Sequence, residues 1–326
     1  MCYLPVKAIP IGATLVEPVV ANGEDLFPKG TRVNLNVKET LVKFGVKDVK
    51  VQTYLNTLNS GEAVDIDNVN DDYLKRLAHL GTEDIRAFSS MLVSKVIANS
   101  DKSLLNALKL YDKETYQHSV NVATLCCVFG IHYGLSYEDL VDLVKSGVYH
   151  DIGKLGISTD ILHKPGRLDD DEFQIMKWHA SIGFDALSAN PNNSKRMLLS
   201  VLEHHENYDG SGYPRGVSSK YLTLFGQIIH LCDVYDALCS PRPYKTAFSH
   251  KEAQQYMYQM SGKMFNPGLV NVFNRCIPLY HLGEVLNICG HTGIVVAREG
   301  DDYVLVRCDN KIYSPNEFYA SQQCIC

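Results

Sequence analysis

The sequence lacks the features that would predict a membrane-spanning or secreted protein. It contains no uninterrupted apolar run of about 18 residues, which is the length that a helix needs to cross a bilayer. Its first residues do not combine a basic region with a long apolar one, so they do not predict a secretory signal. None of the ten cysteines forms a C-x-x-C pair, and we interpret them as reduced thiols of a cytoplasmic protein.

The chain also lacks an excess of positive charge. Its 31 Lys and Arg residues are outnumbered by 37 Asp and Glu residues, which gives a formal net charge of -6 at pH 7. This balance gives no reason to expect binding to polymeric nucleic acid or to an anionic membrane. A site for an anionic ligand must therefore gather its positive charge locally. With 326 residues, the chain is long enough for a large core and two or three domains.

The pattern of apolar residues divides the chain into four segments. Residues 1–57 contain short alternating runs separated by Gly and Pro, which predict a small β-rich accessory module. Residues 58–84 are assigned to a polar linker and an entry helix, and residues 85–276 to a helical domain. Residues 277–326 return to strand patterns, with a hairpin turn over residues 298–302. The expected fold is mainly α, a helical bundle flanked by two small β-rich modules.

Short polar signatures mark the starts of several predicted helices. A Ser or Asp followed three residues later by an acidic residue is typical of a helix N-terminus, because the first side chain accepts hydrogen bonds from free backbone N–H groups. This pattern predicts helix starts at Ser136, Asp169 and Ser249.

Histidines and aspartates fall on the apolar stripes of these helices. Polar groups that face a core are costly unless they are paired or bind a metal, and helical bundles build metal sites from facing helices. A single histidine of this kind is more often a hydrogen-bonded core residue, but seven candidates within about 116 residues favour a metal site. Imidazole and carboxylate together suit Fe, Mn, Zn or Ni. The candidates are His118, His150, Asp151, His179, His204, His205 and Asp233.

Longer motifs around these residues resemble the HD-GYP domain, a branch of the HD phosphohydrolases that is associated with bacterial cyclic-dinucleotide breakdown. The resemblance covers about 60% of the chain. The motifs are HDIGK at 150–154, KPGRL at 164–168, MKWH at 176–179, HHE at 204–206, DGSGYP at 209–214, DVYDAL at 233–238 and SPRPYK at 240–245.

The resemblance implies a centre of two or three divalent metal ions, with iron expected and manganese as the alternative. Asp151 would bridge two of the ions. Glu114, one helical turn before His118, lies where the family can hold a third ion, although an exposed helix carboxylate is an equal alternative. The other ligands would be His179, His204 and His205 for one ion, and His118, His150 and Asp233 for the other.

The resemblance also implies contacts with phosphate. Lys154, Arg242 and Lys245 would supply the local positive charge, and Asp151 and Lys154 would be catalytic. For Arg242 and Lys245 the alternative is a solvated loop. Tyr213 in the Gly-Tyr-Pro loop would contact substrate, or a partner such as a second copy or a signalling protein, and a purely structural turn is the alternative.

The activity that the resemblance implies is hydrolysis of cyclic di-GMP to pGpG, with GMP as the alternative final product. Hydrolysis of the hybrid 3',3'-cyclic GMP-AMP is the close alternative, and a cyclic-dinucleotide-binding interaction module with little turnover is an alternative of another class. Asn207 and Asn266 depart from the family, which has a basic residue and an aspartate at these positions. Neither is a presumed ligand, and no expected ligand is missing, which disfavours a non-catalytic copy.

Overall fold

The structure is a computed structural model that describes residues 2–6, 9, 13–33, 35–52, 83–240, 247–276, 285–288, 291–299, 303–308 and 311–313. The chain divides into two compact units, Met1–Val272 and Phe273–Cys326. The described residues are mainly helical with a small N-terminal strand module, which confirms the expected fold class. The boundaries of the four segments inferred from the sequence stay a prediction.

The N-terminal residues form two small antiparallel sheets and one helix. In the first sheet, the strand Asp48–Gln52 lies between the strands Cys2–Pro5 and Thr14–Leu15. In the second sheet, the strands Val19–Ala21 and Glu24–Phe27 form a hairpin that turns at Asn22-Gly23, where both residues have positive φ. Helix α1 (Leu35–Lys43) was not predicted, although Val37 and Leu41, four residues apart, pack into the core of this region. The strands are β1 (Cys2–Pro5), β2 (Thr14–Leu15), β3 (Val19–Ala21), β4 (Glu24–Phe27) and β5 (Asp48–Gln52).

A bundle of helices occupies the described part of residues 83–276. The long, largely buried helix Lys113–Tyr133 is central and packs against the helices Glu83–Ala98, Lys102–Tyr111, Tyr137–Tyr149 and Leu224–Cys239. None of the helices in the described part of the chain has the length and apolarity to cross a bilayer. The helices are α2 (Glu83–Ala98), α3 (Lys102–Tyr111), α4 (Lys113–Tyr133), α5 (Tyr137–Tyr149), α6 (Thr159–Leu162), α7 (Asp170–Ser188), α8 (Lys195–Glu203), α9 (Leu224–Cys239), α10 (His250–Gln259) and α11 (Pro267–Cys276).

The three predicted helix starts are confirmed. The Ser136 side chain accepts a hydrogen bond from the Asp139 backbone N–H at the start of α5. Asp169 and Ser249 begin α7 and α10 with capping boxes, in which the glutamate three residues later accepts from the backbone N–H of the capping residue. These caps fix where α5 and α7 begin, and both helices carry candidate ligands.

The strands of the second unit form one antiparallel sheet in sequence order. The predicted hairpin is confirmed by the pairing of Ile294 with Arg307 and of Glu299 with Tyr303. The turn is narrower than predicted, because Arg298 and Glu299 belong to a strand. The strands are β6 (Val285–Ile288), β7 (His291–Glu299), β8 (Tyr303–Cys308) and β9 (Lys311–Tyr313).

Candidate metal centre

The seven candidate ligands of the sequence meet in the interior of the bundle. Each of five structural elements contributes one or two of them. Two ligands lie at helix C-termini, where the chain leaves the helix and the next residue can also turn towards the centre. The contributors are His118 from α4, His150 and Asp151 from the end of α5, His179 from α7, His204 and His205 from the end of α8, and Asp233 from α9.

The ligand atoms form two groups. We call Asp151, His179, His204 and His205 the imidazole group, and His118, His150 and Asp233 the mixed group; within each group, one ligand atom per residue lies within 4.8 Å of the others. This is the division that the family resemblance implied.

Asp151 faces both groups with different oxygens. Its Oδ1 lies 3.4 Å from His179 Nε2, on the side of the imidazole group. Its Oδ2 lies 3.4 Å from His150 Nε2 and 3.9 Å from His118 Nε2, on the side of the mixed group. One carboxylate oxygen is thus directed to each group, which is the geometry that a bridging carboxylate needs.

Backbone carbonyls orient three of the imidazoles. The Nδ1 atoms of His150, His179 and His204 lie 2.6–2.7 Å from the carbonyl oxygen three residues earlier in the chain. A carbonyl oxygen only accepts, so each Nδ1 carries the proton and donates. Each neutral ring therefore directs an Nε2 lone pair into the centre, which is the form that binds a metal.

These lone pairs provide a test of whether divalent metals fit. His179 Nε2 and His204 Nε2 lie 3.2 Å apart, so two lone pairs face each other. A cation bound by both nitrogens would stabilise this arrangement. Among the described residues, the buried His150 Nε2 and Asp151 Oδ1 have no hydrogen-bond partner, which is costly unless a ligand satisfies them. Neutral imidazole with carboxylate suits Fe, Mn and Zn. The residues fit divalent metals at both groups.

The electrostatics of the imidazole group keep its histidines neutral. Burial lowers the pKa of His179. Burial and then the neighbouring imidazoles lower the pKa of His204 and His205 well below the usual value. Burial alone would raise the pKa of Asp151, but the Lys154 ammonium and the surrounding imidazoles hold it well below its usual value. At neutral pH this group is therefore ready to bind a cation.

Carboxylates surround His118 in the mixed group. Its Nε2 lies 2.9 Å from Asp233 Oδ1 and its Nδ1 lies 2.7 Å from Asp236 Oδ2, while the Asn121 amide donates to Asp236 Oδ1 at 3.2 Å. Burial would lower the pKa of His118, but the hydrogen bonds to Asp233 and Asp236 raise it to about 10. A cation bound here would take the place of the proton between His118 and Asp233.

Lys154 and Asp151 are brought together by a tight turn after α5. Lys154 Nζ lies 2.6 Å from Asp151 Oδ2. The 3₁₀ turn Ile152–Gly156 packs so closely on α7 that a Cβ at Gly153 would lie 1.9 Å from the His179 carbonyl oxygen. Glycine is therefore required in this motif for close packing, and it holds Asp151 against the helix that carries His179.

The Gly-Tyr-Pro loop covers one side of the centre. The ring of Tyr213 lies against that of His205, with centroids 4.7 Å apart and the planes inclined by 30°. A Cβ at Gly212 would lie 2.3 Å from the Asn207 backbone nitrogen, so the loop folds back directly on the residues that follow His205.

Two buried glutamates fix the end of this loop. The Glu206 carboxylate accepts hydrogen bonds from the backbone N–H groups of Arg215, Gly216 and Val217 at 2.7, 3.1 and 3.2 Å. Glu203 accepts from the Arg215 guanidinium and from both the backbone N–H and the hydroxyl of Thr223. Since both glutamates adjoin the His204–His205 pair, they tie the loop to the imidazole group.

Not every predicted site residue lies in the centre. Glu114 is exposed near the start of α4 and belongs to neither donor group, so its role in holding a third metal stays a prediction. Arg242 and Lys245 lie outside the described residues.

Three residues that contact the site were given no role by the sequence analysis. Asp236 and Glu206 lie within quoted motifs, and Glu203 directly precedes the histidine pair. The signal that could have identified each of them is an acidic residue next to a ligand or one helical turn from it.

Comparison with known proteins places this centre in a family. Residues 102–269, just over half of the chain, match the HD domain model. The chain belongs to the HD domain family, and the resemblance of its motifs to the HD-GYP branch is confirmed.

Curated relatives match about half of the chain. The chain is 40% identical over 52% of its length to a cyclic di-GMP phosphodiesterase of Thermotoga maritima, and 38% identical over 51% to the cyclic di-GMP phosphodiesterase response regulator RpfG of Xanthomonas campestris. It is 36% identical over 52% to the 3'3'-cGAMP-specific phosphodiesterase 2 of Vibrio cholerae. The matches cover 47%, 43% and 33% of these relatives, so the chain spans less than half of their length.

Proposed function

We propose that this protein is a metal-dependent phosphodiesterase that hydrolyses cyclic di-GMP to pGpG, with GMP as the alternative final product. The observation that carries the proposal is the Asp151 carboxylate, which directs one oxygen to each of two histidine-containing donor groups. Relatives of at least 38% identity named as cyclic di-GMP phosphodiesterases support the choice of substrate.

The side chains of the centre have separable roles in this proposal. Divalent cations held by the two groups would activate water and neutralise the charge that develops on phosphorus. Lys154, partly exposed beside Asp151, provides an ammonium for a phosphate oxygen of the anionic substrate. Burial, followed by the charges of Asp151 and Asp233, raises the pKa of Tyr213, so its phenol stays protonated and can donate a hydrogen bond to substrate.

The proposal also covers the identity of the metal, the third ion and the phosphate contacts. Iron is the expected metal and manganese the alternative, with a third ion held on the side of Glu114. Arg242 and Lys245, which follow α9 in sequence, are proposed to bind phosphate. The catalytic domain is proposed to comprise residues 85–276, which include all of these residues.

Anaerobic purification of the full chain, elemental analysis and an assay on cyclic di-GMP test the proposal. We expect at least two equivalents of metal and conversion to pGpG, detected by chromatography. Stoichiometric metal with tight ligand binding and no hydrolysis would instead favour the interaction-module alternative.

The hybrid 3',3'-cyclic GMP-AMP is the second candidate substrate. It is favoured by the 36% identity to a phosphodiesterase named as specific for this molecule. Comparison of kcat/KM for the two dinucleotides on one metal-loaded sample decides between them.

The proposal also includes a protein partner for the Gly-Tyr-Pro loop and a cytoplasmic location for the chain. The Gly-Tyr-Pro loop is proposed to contact a second copy of the chain or a signalling protein, because it covers one side of the metal centre and carries the part-exposed Tyr213. A dimer that Tyr213→Ala weakens in light scattering would support self-association. A cytoplasmic location is proposed from the reduced thiols, which include those of Cys126 and Cys127.

A further inference from the structure

One cation and two aromatic rings lie together beside the metal centre, on α7 and the Gly-Tyr-Pro loop. Phe173 and Tyr213 meet edge to face, with centroids 6.3 Å apart and an interplanar angle of 80°. Lys177 Nζ lies 4.7 Å from the centroid of Phe173 and 5.7 Å from that of Tyr213. Phe173 and Lys177 are four residues apart on α7, which places both on one face of the helix.

We propose that Phe173, Lys177 and Tyr213 form a subsite that binds a guanine base of the substrate. The inference rests on the proposed function, since it names which part of a cyclic dinucleotide these side chains recognise. Phe173 and Lys177 are new in this role.

The position of the subsite suits a base attached to a diester at the metals. Tyr213 connects the two regions, because its ring lies 4.7 Å from that of His205 and 6.3 Å from that of Phe173, measured between centroids. A substrate whose phosphate lies at the imidazole group thus has an aromatic surface within reach of its base. Phe173 keeps 45% of its surface exposed, so its ring has area available for stacking.

The chemistry of Lys177 selects among bases. A lysine ammonium offers three donors and no acceptor. Guanine presents two acceptors, O6 and N7, on the edge where adenine presents one acceptor and an amino donor. The cation next to the rings therefore favours guanine over adenine.

The test compares variants of the metal-loaded full chain. Lys177→Met and Phe173→Leu are examined separately, with Lys109→Met on α3 as the matched control, because Lys109 Nζ also lies over a ring, at 5.5 Å from the centroid of Tyr116. Equilibrium titration gives the affinity for cyclic di-GMP and for cyclic di-AMP. Hydrolysis of bis(4-nitrophenyl) phosphate, a diester without a base, reports the metal chemistry alone.

We expect Lys177→Met to weaken cyclic di-GMP binding by on the order of tenfold and cyclic di-AMP binding by less, with the base-free diester hydrolysed at the wild-type rate. Phe173→Leu should weaken both dinucleotides, because stacking does not distinguish purines. Unchanged affinity in both variants would overturn the subsite. An equal loss for both dinucleotides and the base-free diester in Lys177→Met would make Lys177 a phosphate contact instead.

The outcome separates this inference from the proposed function. If the wild-type protein binds dinucleotides but hydrolyses none, the proposed function fails while the guanine preference is still measured. If hydrolysis is retained and the variants match the wild type, only the subsite fails.

Discussion

The two donor groups that meet at Asp151 differ in how their histidines are held: side-chain carboxylates hold a histidine in one group only. In the imidazole group, His179 and His204 are held by backbone carbonyls of their own helices, and burial keeps them neutral. In the mixed group, a backbone carbonyl also holds His150, but His118 is held by the side chains of Asp233 and Asp236 and retains a proton. The orientation of His179 and His204 follows from helix geometry and does not depend on a single side chain. The orientation and protonation of His118 depend on two carboxylates, so one substitution can change them.

Loss of the Asp151 carboxylate should have the largest effect, because this carboxylate directs one oxygen to each of the two donor groups. Asp151→Asn removes the negative charge that faces both groups and that Lys154 neutralises in part. We expect phosphodiesterase activity to fall on the order of 1,000-fold, with loss of metal from both groups. Elemental analysis and kcat on the same sample measure this. A variant that keeps full metal content at both groups would show that Asp151 does not bridge them.

Removal of Asp236 should affect the mixed group alone. Asp236→Asn keeps the size of the side chain but loses the carboxylate that accepts from His118 Nδ1 at 2.7 Å. We expect metal affinity to fall about 10- to 100-fold at one of the two sites, since outer carboxylates orient a ligating imidazole.

Stepwise chelation followed by metal analysis measures the effect of Asp236→Asn site by site. Asp139→Asn is the control, because Asp139 pairs with Arg196 near the surface. An equal loss from both sites would remove the distinction between the two groups.

The two groups should also differ in how their metal affinity depends on pH. The pKa of His118 is raised to about 10, so at neutral pH a metal that binds the mixed group must displace one proton. Its affinity should therefore rise about tenfold per pH unit between about pH 7 and the pKa of His118. His179, His204 and His205 have lowered pKa values, so the affinity of the imidazole group should be flat over the same range. Metal titration at several pH values checks the two slopes, and parallel slopes would contradict the comparison.

Much of this centre was accessible from the sequence because of helix periodicity. Residues such as His118 and His179 stand on apolar stripes, and the stripes alone indicate that the side chains point inward. The contact that orients His118 could not be predicted from the sequence, because His118 and Asp236 are 118 positions apart and meet only in the folded bundle. Helix α1 was missed for a different reason, since Gly and Pro around it outweighed the four-residue spacing of Val37 and Leu41.

The smallest effect is expected from Glu206, which orients the Gly-Tyr-Pro loop and ligates nothing. Glu206→Gln leaves one acceptor oxygen for three backbone N–H donors and turns an amide N–H₂ towards them. The unfolding free energy should fall by about 1–3 kcal/mol, because buried donors lose their partner.

Tyr213 should lose its fixed position in this variant, so KM for the dinucleotide should rise on the order of tenfold while metal content and hydrolysis of a base-free diester stay near wild type. Glu252→Gln is the control, because it weakens a capping box at the start of α10 without touching the loop. If both variants lose stability but neither changes KM, Glu206 serves the fold and not the loop. A rise in KM confined to Glu206→Gln would mean that a buried carboxylate holds the loop that receives the substrate.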